Sequence, residues 1–327
     1  MKKVILYNDI SKGNLEKLES KFDVIILKRT QLEANDTPIR KLLKEVEGII
    51  GSKLIINRDF LVYTPKLKIV SNISVGYDNC NIKDFNRFNV MLTNTPNVLN
   101  ASVVEIIIGM MLSIGRKIHE MDNYVKENRW TSGALDKAYF GMNIHNKTLG
   151  ILGLGRIGYD LSKVCKYGFN MNILYHNRNR NKKAETDFDA EYVSMQDLFK
   201  QSDYLIVLIP YTNKNHHIVN YKLLSKMKSN AIIVGASRGG IIKEKDLVKV
   251  LEENLVAGAG LDVFENEPIK RDNKLLGFNN VVTLPHIGSA TEETREAMAT
   301  LAVDNLISGL EGGKPKNLVN IEVFKKE

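Results

Sequence analysis

The chain has 327 residues, of which 43% are hydrophobic and 26% charged, and its formal net charge is +8. These values are typical of a globular protein, and the length suits two domains that each bury a core. The Lys and Arg residues are scattered among 38 acidic residues and form no basic helix, so we expect no nucleic acid partner.

The cysteines and the apolar segments argue against four further classes of protein. Cys80 and Cys165 lie far apart in the sequence and form no C-x-x-C pair, which argues against a disulfide framework and a zinc site. The apolar run at residues 4–7 is too short for a signal peptide, and the one at 106–115 is too short to cross a bilayer. We therefore expect a cytoplasmic protein with no metal and no membrane contact.

The first hundred residues alternate short apolar runs with amphipathic stretches such as 15–22 and 37–47. The apolar runs predict strands at Val4–Tyr7, Val24–Leu27, Gly48–Gly51 and Lys68–Ser71. This alternation is typical of βα units around a parallel sheet. After a turn at Asn94–Asn97, an apolar stretch from Ala101 to His119 predicts a long helix that crosses to a second domain.

A second βα series begins at Lys147. Its apolar runs predict strands near 148–152, 171–175, 204–209, 231–234, 256–260 and 281–283. A final helix is predicted from Glu292 to Leu310, and we expect it to pack back against the first domain.

The first turn of this second series has the layout of a dinucleotide-binding turn. An apolar strand from Thr148 leads into G-x-G-x-x-G and then into a helix. The first glycine permits the tight turn, the second lets backbone approach a pyrophosphate, and the third lets helix pack on strand. Free N–H groups at the helix N-terminus then bind the phosphates. The predicted cofactor contacts here are Gly153, Leu154, Gly155, Arg156, Ile157 and Gly158.

The central position of this motif predicts the domain order. We expect an α/β protein with two doubly wound parallel-sheet domains. A Rossmann cofactor domain at 100–290 is inserted into a flavodoxin-like substrate domain formed by 1–99 and 291–327.

The residues after the second strand of the series indicate which dinucleotide binds. NAD sites usually place an acid there for the ribose hydroxyls, whereas this chain reads His-Asn177-Arg178-Asn-Arg180. Asn177 and Arg178 could bind a 2′-phosphate by charge-assisted hydrogen bonds, and Arg180 adds positive charge. The sequence thus predicts a preference for NADP(H), with NAD(H) as the alternative. A solvated basic loop without a binding role would give the same pattern.

Polar residues follow three successive strands, at the sheet edge where open α/β sheets bind ligands. These are Arg238, Glu267 and His286. Arg238 can hold a carboxylate and polarise a carbonyl, and His286 can give a proton to the oxygen. Glu267 can orient the imidazole and favour its protonated form. Each residue alone could be structural, but together they indicate reduction of a 2-oxo acid.

With these residues in place, the chain resembles the D-isomer-specific 2-hydroxyacid dehydrogenases, in particular the glyoxylate/hydroxypyruvate and 2-ketogluconate reductases. The matching segments are Ser74–Asn79, Gly150–Gly158, Ala236–Ile241, Ala257–Pro268 and Pro285–Ser289. Two segments depart from the common pattern, because Gly235 stands where Asn is frequent and Asn100–Glu105 lacks the usual Thr and Asp.

The resemblance implies a set of roles. Arg238, Glu267 and His286 are the active-site residues, and Asp262 contacts the nicotinamide amide. The backbone N–H groups of Val75 and Gly76 bind the substrate carboxylate. The remaining implied contacts are Ser289 for substrate, and Pro210, Ala236, Ser237, His286 and Gly288 for cofactor. The resemblance also implies a small 2-oxo or 2-hydroxy acid as substrate, a homodimer built on the cofactor domain, and a cleft that closes between the domains.

Several alternatives remain at this point. A 2-ketogluconate or D-lactate dehydrogenase would use the same residues, as would a dinucleotide-sensing binding protein of the corepressor type. Formate dehydrogenase is disfavoured because formate oxidation does not need the proton-transferring pair. Phosphoglycerate dehydrogenase is disfavoured by the expected NADP preference and by the lack of a C-terminal regulatory domain.

Overall fold

The computed structural model describes residues 1–34 and 36–324, which form two compact units. One unit contains residues 1–99 together with the segment from Thr291, and the other contains residues 100–290. Each unit is built on one parallel sheet, so the predicted fold class, two α/β parallel-sheet domains, is confirmed.

The first unit has a five-stranded sheet in the order β2-β1-β3-β4-β5. Its strands are β1 (Lys3–Leu6), β2 (Asp23–Ile26), β3 (Val46–Gly51), β4 (Ile69–Asn72) and β5 (Met91–Thr93). Its first helices are α1 (Lys12–Glu19), α2 (Arg29–Ala34), α3 (Thr37–Leu43), α4 (Arg58–Leu61) and α5 (Ile82–Arg87). This strand order is the flavodoxin-like one, with the ends of β3 and β4 side by side.

The second unit has a seven-stranded sheet in the order β12-β11-β10-β9-β6-β7-β8. Its strands are β6 (Thr148–Leu152), β7 (Asn172–His176), β8 (Glu191–Tyr192), β9 (Tyr204–Val207), β10 (Ile232–Gly235), β11 (Gly258–Leu261) and β12 (Val281–Thr283). Its helices are α6 (Asn100–Gly115), α7 (Ile118–Lys126), α8 (Arg156–Phe169), α9 (Lys182–Phe188), α10 (Met195–Gln201), α11 (Tyr221–Leu224) and α12 (Glu244–Glu252). The strand order reverses between β6 and β9, and such a switch point is where dinucleotides bind in Rossmann sheets.

A final helix, α13 (Glu292–Leu310), belongs to the first unit. The Thr291 side chain caps it by accepting a hydrogen bond from Thr294 N, and Glu292 places a negative charge in its first turn. The Ser71 hydroxyl of β4 donates to the carbonyl of Ala302 at 2.7 Å, which ties α13 to the sheet.

The structure departs from the sequence prediction at three places. Strands β5 and β8 were not predicted because three and two residues are too few to give an apolar pattern. The long helix predicted from Ala101 to His119 ends at Gly115, because Lys117 takes a left-handed conformation (φ 55°) and α7 begins after it. No helix in the described part of the chain is long and apolar enough to cross a membrane.

Candidate active site

The glycine turn after β6 uses its three glycines differently. Gly153 has φ +103°, and a Cβ there would lie 2.6 Å from the backbone nitrogen of Ile209, so only glycine fits. A Cβ on Gly158 would come within 3.2 Å of the Gly153 carbonyl oxygen. A Cβ on Gly155 would meet no described atom within 4 Å. Packing within the protein therefore explains the first and third glycines but not the second.

The N-terminus of α8 fits a diphosphate. Gly155 is the N-cap residue and provides no side-chain cap, and no acidic residue occupies the first turn. The first N–H groups of a helix have no acceptor within the helix, and the helix dipole adds positive potential there. An anion placed beside Gly155 would be bound by these groups, which meets the requirement of a dinucleotide pyrophosphate.

The predicted contacts Leu154 and Asn177 bind each other. Leu154 N donates to Asn177 Oδ1 at 2.6 Å, and Asn177 Nδ2 donates to the Leu154 carbonyl at 3.0 Å. The register of β6 and β7 pairs Leu152 with His176, which places the two residues side by side just past the strand ends. The Asn177 side chain is thus engaged with the glycine turn.

The basic side chains after β7 are only partly available. Arg180 forms a two-pronged ion pair with Glu185, with both N···O distances at 2.9 Å, and this pair lowers the pKa of Glu185. Lys183 forms a single-contact ion pair with Asp187, one turn further along α9. Arg178 is exposed and has no hydrogen-bond or ion-pair partner among the described residues. The structure therefore leaves Arg178 available to a phosphate and engages Arg180.

The second half of the site lies past β11 and β12. His286 Nδ1 is 2.7 Å from Glu267 Oε2, and the two side chains are 32% and 31% exposed. Glu267 Oε1 accepts the N–H of Phe264 at 3.3 Å, which fixes the carboxylate. His286 itself has φ +57°, a conformation that is costly for a residue other than glycine and is often found at functional sites.

Asp262 holds the loop that follows His286. It is 3% exposed, and its two carboxylate oxygens accept the N–H groups of Ile287 at 2.7 Å and Gly288 at 2.8 Å. Burial raises the pKa of Asp262, while these two hydrogen bonds oppose the rise. The sequence predicted only a nicotinamide contact for this residue, and its role in holding the loop was missed.

Arg238 begins a short 3-10 turn, Gly239–Ile241, after β10. Its Nη1 donates to the Ser237 carbonyl at 2.8 Å. A Cβ on Gly239 would lie 1.8 Å from the carbonyl carbon of Phe264, so the backbone after Arg238 lies directly against the loop that carries Glu267. The three predicted catalytic residues thus lie on three loops at one edge of the sheet. The loop of Arg238 contacts the loop of Glu267, and the Glu267 side chain contacts His286.

The other predicted cofactor contacts lie at the same edge. Pro210 is exposed after β9, and its carbonyl accepts from Asn215 Nδ2 at 2.7 Å. Ala236 and Ser237 follow β10 directly, and the Ser237 hydroxyl is buried with no hydrogen-bond partner in the part of the chain described. A buried hydroxyl of this kind suits a bound polar group. Ser289 is half-buried after Gly288.

The described residues contain no cluster of His, Cys, Asp or Glu that could hold a metal.

In the first unit, two asparagines hold the loop of Val75 and Gly76. Asn94 Nδ2 donates to the Val75 carbonyl at 2.9 Å, and Asn72 Nδ2 donates to the Gly76 carbonyl at 2.8 Å. The N–H groups of Val75 and Gly76 have no acceptor among the described residues. Paired N–H groups of this kind can bind a carboxylate. The sequence predicted only a turn at Asn94–Asn97, and the contacts of these two side chains with the loop were missed.

Comparison with known proteins supports the same interpretation. A family model described as D-isomer specific 2-hydroxyacid dehydrogenase, NAD binding domain, matches residues 108–288. The chain is 40% identical to a probable 2-ketogluconate reductase of Dictyostelium discoideum, with 99% of this chain and 97% of the relative covered. It is 41% identical to a glyoxylate/hydroxypyruvate reductase B of Pectobacterium carotovorum, with 98% and 99% covered.

A solved structure shares the fold over the whole chain. It is an NADPH-dependent glyoxylate/hydroxypyruvate reductase from Sinorhizobium meliloti in complex with NADP and malonate. The TM-score is 0.87 at 30% sequence identity, and the match covers 100% of this chain and 99% of that one.

Proposed function

Since the chain belongs to the D-isomer-specific 2-hydroxyacid dehydrogenase family, we propose that it reduces a small 2-oxo acid of the glyoxylate or hydroxypyruvate type to the D-2-hydroxy acid, using NADPH. The observation that carries this proposal is the 2.7 Å contact between His286 and Glu267, at the edge of the sheet that also holds the glycine turn. The names of the relatives support the substrate class.

His286 is the proton donor in this reaction. Glu267 engages Nδ1, so Nε2 is the nitrogen that gives its proton to the substrate oxygen. The carboxylate stabilises the charged imidazole before transfer and keeps the ring oriented. NADPH, when bound, supplies the hydride that reaches C2 of the oxo acid. Arg238 binds the substrate carboxylate and draws electron density from the carbonyl oxygen, where negative charge develops.

The remaining contacts with substrate and cofactor are proposed from the hydrogen-bond donors and acceptors that these residues provide. The N–H groups of Val75 and Gly76 bind the substrate carboxylate, with the hydroxyl of Ser289 as a further donor. Asp262 retains unused lone pairs on both oxygens, so it can accept the nicotinamide amide while it holds the loop after His286. The other proposed contacts of the cofactor are Pro210, Ala236, Ser237 and Gly288.

The preference for NADPH is supported by Arg178, an exposed guanidinium in the segment after β7, where NAD sites usually carry an acid. The solved relative with bound NADP supports the same preference. This loop has no acid to repel the 2′-phosphate of NADPH, and none to bind the ribose hydroxyls of NADH. We therefore propose NADH as a weaker alternative cofactor.

We propose a homodimer formed through the segment 118–140. Helix α7 buries none of its side chains, and Trp130 and Phe140 are each 60% exposed. Apolar side chains grouped in this way are typical of a protein interface. The two cysteines are free and buried, which supports a reducing compartment such as the cytoplasm.

The function is tested by mixing the protein with NADPH and following the loss of nicotinamide absorbance. Glyoxylate, hydroxypyruvate, 2-ketogluconate and pyruvate are compared, each with NADPH and with NADH. We expect the highest kcat/KM for glyoxylate or hydroxypyruvate with NADPH. No loss of absorbance with any of these acids would exclude the proposal.

A second candidate, reduction of 2-ketogluconate, is favoured by the Dictyostelium relative at 40% identity. It uses the same catalytic residues and differs only in the length of the substrate. A kcat/KM for 2-ketogluconate above that for both smaller acids would select this candidate.

A further inference from the structure

The carboxamide of Asn177 matches the backbone of Leu154 in both polarity and position. Its oxygen accepts the Leu154 N–H at 2.6 Å, and its nitrogen donates to the Leu154 carbonyl at 3.0 Å. An aspartate could accept the N–H, but its second oxygen would face the carbonyl oxygen. An apolar residue would leave both backbone groups unpaired. Among these residue types, only the amide satisfies the donor and the acceptor together.

Neighbouring groups hold the backbone at Asn177 and the Leu154 carbonyl in place. The Tyr192 hydroxyl donates to the Asn177 carbonyl at 3.2 Å. His176, the preceding residue, places Nδ1 at 2.8 Å from the Val193 carbonyl and stacks on Tyr192. Asn181 adds a further donor to Leu154 O at 3.2 Å. To turn toward a ribose phosphate, the Asn177 side chain would have to break both of its bonds to Leu154.

Leu154 lies between Gly153 and Gly155, so its two bonds to Asn177 fix the peptide planes of the turn that faces the pyrophosphate. The pyrophosphate is common to NADPH and NADH, whereas the 2′-phosphate belongs to NADPH alone. A residue that shapes the turn must therefore affect both cofactors equally. A residue that binds the 2′-phosphate must affect NADPH only.

From this we infer that Asn177 is a positioning residue for the glycine turn and does not bind the 2′-phosphate. Discrimination between the two cofactors then depends on Arg178, the neighbouring side chain without a partner among the described residues. The inference replaces the phosphate-binding role that the sequence alone suggests for Asn177. It rests on the proposed function in one respect, namely that this turn binds a nicotinamide dinucleotide.

The test measures the Kd of NADPH and of NADH for the full-length protein by nicotinamide fluorescence, without substrate. The variants are Asn177→Ala, Arg178→Ala and the matched control Asn179→Ala. Asn179 is exposed in the same loop and has no partner in the described part of the chain. Circular dichroism checks that each variant is folded. If Asn177→Ala does not fold, Asn177→Ser, which keeps a small polar group, replaces it.

We expect Asn177→Ala to raise both Kd values by the same factor, about tenfold, since one or two hydrogen bonds to the turn are lost. Arg178→Ala should raise the Kd of NADPH and leave that of NADH unchanged, and Asn179→Ala should change neither. An increase for NADPH alone in Asn177→Ala would show a direct phosphate contact and overturn the inference. Unchanged values for both cofactors would overturn it as well. Failure of the unmodified protein to bind either cofactor would instead refute the proposed function.

Discussion

The imidazole of His286 and the carboxylate of Glu267 meet at 2.7 Å, through Nδ1 and Oε2, although the two residues end different strands. The contact occupies one ring nitrogen and leaves Nε2 as the only nitrogen able to transfer a proton. It also places a negative charge where it stabilises the imidazolium form. The geometry supports the two separate roles proposed above, His286 as proton donor and Glu267 as the carboxylate that orients it.

Replacing His286 with alanine should lower kcat for 2-oxo acid reduction by ~10²–10⁴-fold, the usual contribution of a positioned acid or base. The Kd of NADPH should rise only slightly, because His286 is one of many predicted cofactor contacts and the glycine turn and Arg178 are untouched. Initial rates and fluorescence titration measure the two effects. A kcat near that of the unmodified protein would remove His286 from the mechanism.

Glu267→Gln should lower kcat for 2-oxo acid reduction by a smaller factor than His286→Ala does. The imidazole remains in this variant, but it loses the carboxylate that contacts Nδ1 at 2.7 Å and orients the ring. Initial rates of the two variants measure the difference. A kcat in Glu267→Gln equal to that of the unmodified protein would show that the carboxylate does not assist His286.

Asp262→Asn should lower kcat while leaving the protein nearly as stable. Burial disfavours the charged carboxylate and raises its pKa, so a neutral amide removes a desolvation cost. The amide, however, can accept only one of the N–H groups of Ile287 and Gly288, and its NH₂ would face the other. We expect a drop in kcat of about tenfold or more, since the loop after His286 loses a charge-assisted hydrogen bond.

Thermal denaturation and initial rates of the Asp262 variant separate the two effects. A change of only a few degrees in Tm, together with the loss of kcat, is the expected result. Full activity in the variant would mean that the position of His286 does not depend on Asp262.

Gly153→Ala and Gly155→Ala should differ in what they damage. Gly153 has φ +103° and a tight contact with Ile209, so alanine there should cost about 1–3 kcal/mol of folding free energy. At Gly155 a methyl group meets no described atom within 4 Å. Alanine there should cost less than about 1 kcal/mol yet weaken NADPH and NADH alike, because it blocks the approach of the pyrophosphate. Urea denaturation measures the loss of folding free energy in each variant, and titration with NADPH and NADH measures the loss of cofactor affinity. If Gly155→Ala bound the cofactors as tightly as the unmodified protein does, the proposed approach of the pyrophosphate to Gly155 would be wrong.

The sequence predicts the buried strands well, because such strands in parallel sheets are continuous apolar runs. Strands β6 and β12 occupy the predicted residues, 148–152 and 281–283. Strands β5 and β8 were not predicted because they are too short to show an apolar pattern. The end of α6 at Gly115 was not predicted either, because Arg116 and Lys117 are good helix formers and do not signal the left-handed conformation of Lys117.

At the candidate site, the sequence identifies residues that follow strands but not what they bind. Arg238, Glu267 and His286 stand out because polar residues at strand ends collect at one edge. The partner of Asn177 is a backbone group that only the register of β6 and β7 brings near. A sequence pattern does not report contacts of that kind.

Glu185 holds the guanidinium of Arg180 in an ion pair with both N···O distances at 2.9 Å. Arg180 lowers the pKa of Glu185, so the stability from this pair is complete above the ordinary carboxyl pKa and is lost only as pH falls through the lowered value. Near neutral pH the pair is therefore intact and Arg180 stays engaged. Glu185→Gln removes the charge that holds Arg180 and keeps an oxygen for the Tyr175 hydroxyl.

The released guanidinium should then help to bind the 2′-phosphate, and the Kd of NADPH should fall by about two- to fivefold, the range of an exposed ion pair. The Kd of NADH should stay unchanged, because NADH has no 2′-phosphate. Adding Arg180→Ala to Glu185→Gln should abolish the gain, whereas Arg180→Ala alone should have little effect. Tighter binding of both cofactors, or a gain that survives the loss of Arg180, would show that Glu185 acts through another group.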